Sequence, residues 1–96
     1  MGPLLTEILG SRRYRVEGVV RAIVIGIDDP QGLSRVRLRL PPMDKPYETD
    51  WARIVVPFGT QAVVPEMGDE VLVVFERSDL RFPYVLGRLS NLAKPN

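Results

Sequence analysis

From residue 14 onward, apolar side chains recur at every second position or in short β-branched runs, and clusters of proline, glycine and aspartate break them. A period of two is the signature of strands. Residues 14–27 are rich in valine and isoleucine, which predicts a long first strand with Gly18 and Gly26 as bend or bulge points. Val36, Leu38 and Leu40 then alternate with Arg35, Arg37 and Arg39, so the second strand has one dry face and one cationic face. The proline-rich stretch 41–46 cannot sustain a ladder and reads as a loop. Residues 51–56 predict a third strand closed off by Pro57. A connection over 58–65 leads to a tight turn at Glu66-Met67-Gly68-Asp69. Residues 70–76 are apolar on both faces and predict a central strand, 78–83 a loop, and 84–89 a fifth strand.

The start of the chain follows another period. Leu4, Leu5, Ile8 and Leu9 share one side at helical spacing, Pro3 suits a first turn and Gly10 a stop, so residues 1–10 predict a short helix. A helix that short is not stable alone in water, and its apolar side docks either on the rest of the chain or on a partner. The layout is therefore an extension over 1–13, a β domain over 14–91 and a tail over 92–96. Five strands with a long, bent first one predict an all-β, five-stranded Greek-key barrel of the oligonucleotide/oligosaccharide-binding (OB) type. Its core is expected to include Val36, Leu38, Leu40, Trp51, Ile54, Val56, Val71, Val73, Phe75 and Val85, with Phe58 in apolar surroundings as well. The connection over 58–65 is too short for a full helix, so loop residues or the N-terminal segment must plug that end. Asp29, Pro30, Gly32, Gly68, Asp69 and Gly87 are read as structural residues of turns or of close backbone approaches.

Composition narrows the chemistry. The 96 residues contain no cysteine and no histidine, which removes thiolate and imidazole from metal binding and from nucleophile–base pairs. Asp28, Asp29, Asp44, Asp50, Asp69 and Asp79 fall at turns, where aspartate caps backbone groups. There is no glycine-rich phosphate loop. The expectation is a non-enzymatic domain with no catalytic residue, cofactor, metal or small-molecule substrate. No apolar run approaches the roughly 20 residues of a membrane span, and no basic start followed by a long apolar core marks a secretory signal.

The net charge is only +1, yet eleven of the thirteen basic residues are arginine, the cation suited to planar pairing at interfaces. The row Arg35, Arg37, Arg39 admits three uses. Single-stranded nucleic-acid binders interleave such charges with exposed aromatics, and the second strand has none. That argues against nucleic acid, which stays as the alternative function. The row can instead meet a protein partner, or be neutralised within the chain by Glu17 or Glu48. The residues leave these two open.

Four blocks in order then carry a family likeness. Asp29-Pro30-Gln31-Gly32-Leu33-Ser34-Arg35-Val36-Arg37-Leu38-Arg39-Leu40-Pro41 resembles a hairpin of the phage baseplate assembly protein V / VgrG family. Trp51-Ala52-Arg53 with Val56-Pro57-Phe58 resembles its third strand, and Pro65-Glu66-Met67-Gly68-Asp69-Glu70-Val71-Leu72-Val73 its turn and fourth strand. The run Arg81-Phe82-Pro83-Tyr84-Val85-Leu86-Gly87-Arg88-Leu89 is similar to its closing strand. The resemblance implies a structural OB domain at the baseplate hub or central spike of a contractile injection machine: a phage tail, a type VI secretion system or a phage-like particle. There it would link hub to needle, assembling in the cytoplasm and ending in the virion tail or particle. Implied partners are hub and spike or needle proteins, met through Arg35, Arg37 and Arg39 and the apolar side of Leu4, Leu5, Ile8 and Leu9. A homotrimer is the implied state. The β-helical repeats or large hub domain that usually adjoin such a domain are not in these residues, which leaves that state open.

Overall fold

A computed structural model describes residues 16–41 and 47–90 of the chain. The expected N-terminal helix, with Leu4, Leu5, Ile8 and Leu9, lies outside the described residues, as do most of the proline-rich loop and the C-terminal tail.

Six short strands form one curled sheet: β1 (Val20–Gly26), β2 (Arg37–Leu40), β3 (Tyr47–Glu48), β4 (Arg53–Ile54), β5 (Glu70–Phe75) and β6 (Pro83–Arg88). Their order is β3-β2-β1-β5-β6-β4, antiparallel throughout except for the parallel β4–β6 pair. Segment 47–54 draws the two ends of this sheet together. Its first part runs along β2, where Thr49 N–H donates to the Leu38 carbonyl at 2.8 Å. Val36 and Ala52 then exchange two backbone bonds at 3.0 and 2.6 Å, and Arg53–Ile54 joins β6. The result is all-β and OB-type, as expected, with the six strands curled into a half-barrel.

Alternation decides what is inside. Ala22 and Val24 on β1, Leu38 and Leu40 on β2, Val71, Val73 and Phe75 on β5, and Val85 on β6 are buried in one core with Val36, Ala52, Val16 and Leu80. Thr49 is the one buried polar residue recorded there, and it is satisfied: Leu38 N–H donates to its Oγ1 at 3.1 Å, and that hydroxyl donates to the Asp50 carbonyl at 2.7 Å. Two bulges bend the sheet. One lies on β1 between Val24 and Gly26; the other sets the single step from Leu72 to Val73 against the double step from Gly87 to Val85.

The structure corrects the sequence reading at several points. The first strand begins at Val20, and Val16 is tied instead by its N–H to the Ser78 carbonyl at 2.8 Å. The expected third strand is two pieces, β3 and β4, because a bend at Asp50 interrupts the ladder and the Asp50 carboxylate takes the Trp51 N–H at 2.8 Å. Six strands therefore stand where five were expected. Ala52 takes the inward position there, while Trp51 and Ile54 are half-buried. Val56 is exposed, because the chain leaves the sheet after Val55 N–H bonds the Val85 carbonyl. Phe58 is not in apolar surroundings: it is fully exposed. The loop before β6 contains a one-turn 3-10 segment (Glu76–Ser78), with Arg77 and Ser78 in left-handed backbone at φ 55° and 63°.

Candidate assembly surface

The hairpin between β1 and β2 is organised by one carboxylate. Asp29 opens a turn in which Gly32 N–H donates to its carbonyl at 2.9 Å, with Pro30 pre-set at the second position. Its side chain accepts the N–H groups of Gln31 at 2.9 Å, Leu33 at 3.1 Å and Arg35 at 3.3 Å. The Arg35 guanidinium closes the arrangement bidentately, Nε at 2.8 Å and Nη2 at 2.9 Å. The carboxylate is only 2 % exposed. Chiefly through Arg35, with those three N–H groups adding to it and burial opposing, its pKa is held well below the usual carboxylate range. The same pairing raises that of Arg35. Arg35 is thus a loop-forming residue, and Ser34 beside it is held in left-handed backbone at φ 58°.

Arg37 and Arg39 do share the outer face of β2, and both lean on one carboxylate, Glu48 of β3, at 3.7 and 3.4 Å. Arg37 Nε also donates to the Thr49 carbonyl at 3.3 Å. Each of the three side chains is roughly half exposed, so these pairs add little to stability. Two guanidinium groups against one carboxylate leave this corner net positive. Beside it Arg21 faces Glu70 at 3.8 Å, and Ile23 lies exposed between the two charged pairs, opposite Arg39 on one side and Glu70 on the other. Of the two neutralising residues expected from sequence, the structure brings Glu48 to the row.

The remaining turn residues fall in two groups. Gly68 sits at φ 85°, donates its N–H to the Val24 carbonyl at 2.8 Å, and precedes Asp69, whose carboxylate caps Glu66 N–H at 2.9 Å. A side chain at Gly68 would meet left-handed strain. Gly87 lies within β6 beside the bulge, with open space where a Cβ would go and no positive φ. The backbone has no need of glycine there.

Two surfaces were missed by pattern alone. A groove of about 510 Å³ gathers Arg35, Arg53 and Arg81 with Trp51, Phe82 and Tyr84. Asp79 holds Arg81 at 2.6 Å, raising its pKa, and the guanidinium stacks 5.3 Å from the Phe82 ring. The Tyr84 hydroxyl donates to Glu76 at 2.5 Å, and that hydrogen bond, with burial behind it, pushes the phenol's pKa up. The spacing Trp51-Ala52-Arg53 carried a signal: with Ala52 inward, its neighbours must point out. The second surface is the β4–β5 connection, where residues 54–65 carry no charge and Val55, Val56, Phe58, Val63 and Met67 are exposed. The prolines at 57 and 65 marked this apolar run as loop.

Among the described residues, no group of three or more aspartate or glutamate side chains is placed to hold a metal ion. No curated protein matches the chain. A family model does, that of the type VI secretion system/phage-baseplate injector OB domain, over residues 20–89. This span holds every strand of the sheet, the Asp29 hairpin, the groove around Trp51 and the β4–β5 connection, and the chain belongs to that family of structural injector OB domains, parts of contractile injection systems.

Proposed function

We propose that this domain is the joint between baseplate hub and needle in a contractile injection machine, aligning the two and passing force between them. It is built into the tail or particle from components assembled in the cytoplasm. The observation that carries the reading is the outer face of β2, where Arg37 and Arg39 share the single carboxylate of Glu48. Half-exposed guanidinium groups with unfilled donors suit an acidic patch on a hub or spike subunit. The apolar side of Leu4, Leu5, Ile8 and Leu9 is the second proposed contact.

Reversing both charges (Arg37→Glu with Arg39→Glu) leaves the purified domain folded, since neither residue belongs to the core, and lowers its incorporation into particles tenfold or more. Normal incorporation of that double variant would discard the arginine contact.

A second reading, single-stranded nucleic-acid binding, gains from the groove that sets Trp51, Phe82 and Tyr84 beside Arg53 and Arg81. It requires a labelled oligonucleotide to bind with a steep salt dependence and to be released by Trp51→Ala. No binding at low salt removes it.

A further inference from the structure

A row on the outer face of the sheet crosses four strands in register. Glu48 of β3 stands opposite Arg39 of β2, Arg39 opposite Ile23 of β1, and Ile23 opposite Glu70 of β5. Arg21 lies two residues from Ile23 on the same face of β1. Arg37 lies on the other side of the row, two residues from Arg39. The ion pairs at the two ends pull apart. Arg39 reaches toward β3, to Glu48 at 3.4 Å, and Arg21 toward β5, to Glu70 at 3.8 Å. Between them opens a recess of about 370 Å³, with Ile23, Leu40 and Pro41 as apolar lining and Arg21, Arg39 and Glu70 as charged lining. Ile23 is exposed in it, an alkyl group among charges.

We infer that this recess receives an apolar side chain of a hub or spike subunit flanked by two carboxylates, one meeting Arg21 and the other Arg37 and Arg39. Charge selects that occupant. Among the described residues, Arg21, Arg37 and Arg39 face two carboxylates, Glu48 and Glu70, which leaves one positive charge in excess. Each guanidinium has five N–H donors, and the contacts to Glu48, Glu70 and the Thr49 carbonyl engage few of them. Ion pairs this exposed hold weakly, the Arg21 side chain being 69 % exposed, so an arriving carboxylate shares or displaces them readily.

The ends of the row limit how much negative charge fits. Glu48 and Glu70 stand three inter-strand spacings apart, about 14 Å, and repel anything acidic beyond them. That admits a pair of carboxylates and excludes a run of phosphates. A nucleic-acid strand also wants rings to stack on, and the described lining of the recess has none. Ile23 decides the centre: a carboxylate pressed against it loses water for nothing, whereas an apolar side chain buries both. In an extended segment, residues two apart share a face at about 6.7 Å, the spacing of Arg21 from Ile23. The fitting pattern is therefore carboxylate, spacer, apolar residue, spacer, carboxylate. That the partner is a hub or spike subunit rests on the proposed function; the chemistry of the segment rests on the recess.

The probe is a capped peptide, acetyl-Gly-Asp-Ser-Leu-Ser-Asp-Gly-amide, titrated into the isotope-labelled chain and followed by amide chemical shifts. Saturable shifts are expected at Ile23, Arg39 and Glu70. Exchanging both aspartates of the peptide for asparagine, or its leucine for serine, should weaken binding about tenfold. Ile23→Thr keeps a β-branched strand residue and should weaken it likewise, as should Arg21→Gln. Val19→Thr, exposed just before β1 and outside the recess, is the control. In particles, the Ile23 and Arg21 variants should lower incorporation roughly fivefold, and the control should not. Absence of saturable binding at millimolar peptide would overturn the inference, as would equal binding of the asparagine or serine peptide. An oligonucleotide that moves the same amides more strongly than the peptide would hand the recess to phosphate. Normal incorporation of Ile23→Thr and Arg21→Gln beside a defective Arg37/Arg39 reversal would sink the recess and leave the hub contact standing. Peptide binding lost in Ile23→Thr while the Arg37/Arg39 reversal assembles normally would keep the recess and remove the hub as its partner, so the two readings fail separately.

Discussion

At the scale of single residues, Asp29 carries more of the local structure than any other side chain described. Five hydrogen bonds converge on its carboxylate. Replacing it with asparagine keeps the size, loses the ion pair and offers an amide where two acceptor oxygens are needed. The expected result is a loosened hairpin and a melting temperature lower by roughly 5 °C or more, with the rest of the sheet intact. The pH dependence follows from the direction of its shift. A carboxyl held below its unfolded value of about 3.9 binds its proton more readily when unfolded, so its contribution is whole above that value. It erodes as pH falls below about 4, toward the depressed folded pKa. Denaturant titrations of the unaltered chain should lose stability over that acid window, and Asp29→Asn should flatten this part of the slope. Identical acid slopes in the two chains would refute the assignment. Gly68 yields a second expectation at this scale: at φ 85°, Gly68→Ala costs about 1–3 kcal/mol, measurable as a lower denaturation midpoint with unchanged m-value.

At the scale of elements, strands that alternate cleanly were legible and strands that end early were not. Val36, Leu38 and Leu40, and likewise Val71, Val73 and Phe75, fall inside as the period of two requires. Leu38 is fully buried at the centre of β2, so Leu38→Ala should cost about 2–5 kcal/mol, read from chemical denaturation; a loss under 1 kcal/mol would mean the core is not packed as described. The third strand defeated the pattern because Trp51 and Val56 are apolar and look like core. Their fate is set by the neighbours: Asp50 bends the chain before Trp51, and Pro57 ends the ladder before Val56 can be covered. Phe58 failed for the same reason in stronger form, since a tip position between proline and glycine overrides hydrophobicity. The arginine row was legible as a row and illegible as three separate roles. Only the folded hairpin reveals that Arg35 turns back to Asp29 while Arg37 and Arg39 face Glu48. The groove of Trp51, Arg53, Arg81 and Tyr84 draws on the segment into β4, on β6 and on the loop before β6; local spacing marks Trp51 and Arg53 as outward but not the distant residues they meet.

At the scale of the whole molecule, charge and apolar surface are segregated. The outer face of β1, β2, β3 and β5 carries the pairs Arg37–Glu48, Arg39–Glu48 and Arg21–Glu70, whereas the connection over 54–65 carries no charge. Contacts made by the two regions must then answer to salt in opposite ways. Guanidinium–carboxylate contacts at a half-exposed face weaken as the screening length falls from roughly 14 Å toward 4 Å between about 50 and 500 mM salt. A contact made by the exposed apolar side chains Val55, Val56, Phe58 and Val63 is indifferent to sodium chloride and tightened by sulfate, which strengthens burial of apolar surface. Sedimentation equilibrium at low and high sodium chloride, repeated in sodium sulfate, separates the two. A contact made by residues 54–65 should hold constant or rise across the series, while binding of a hub or spike subunit through Arg37 and Arg39 falls several-fold between low and high chloride. Because the two surfaces share no partner side chain, Phe58→Ser and the Arg37/Arg39 reversal should act additively on assembly. Binding of a hub or spike subunit that stays constant across the chloride series would remove the arginine face from that contact.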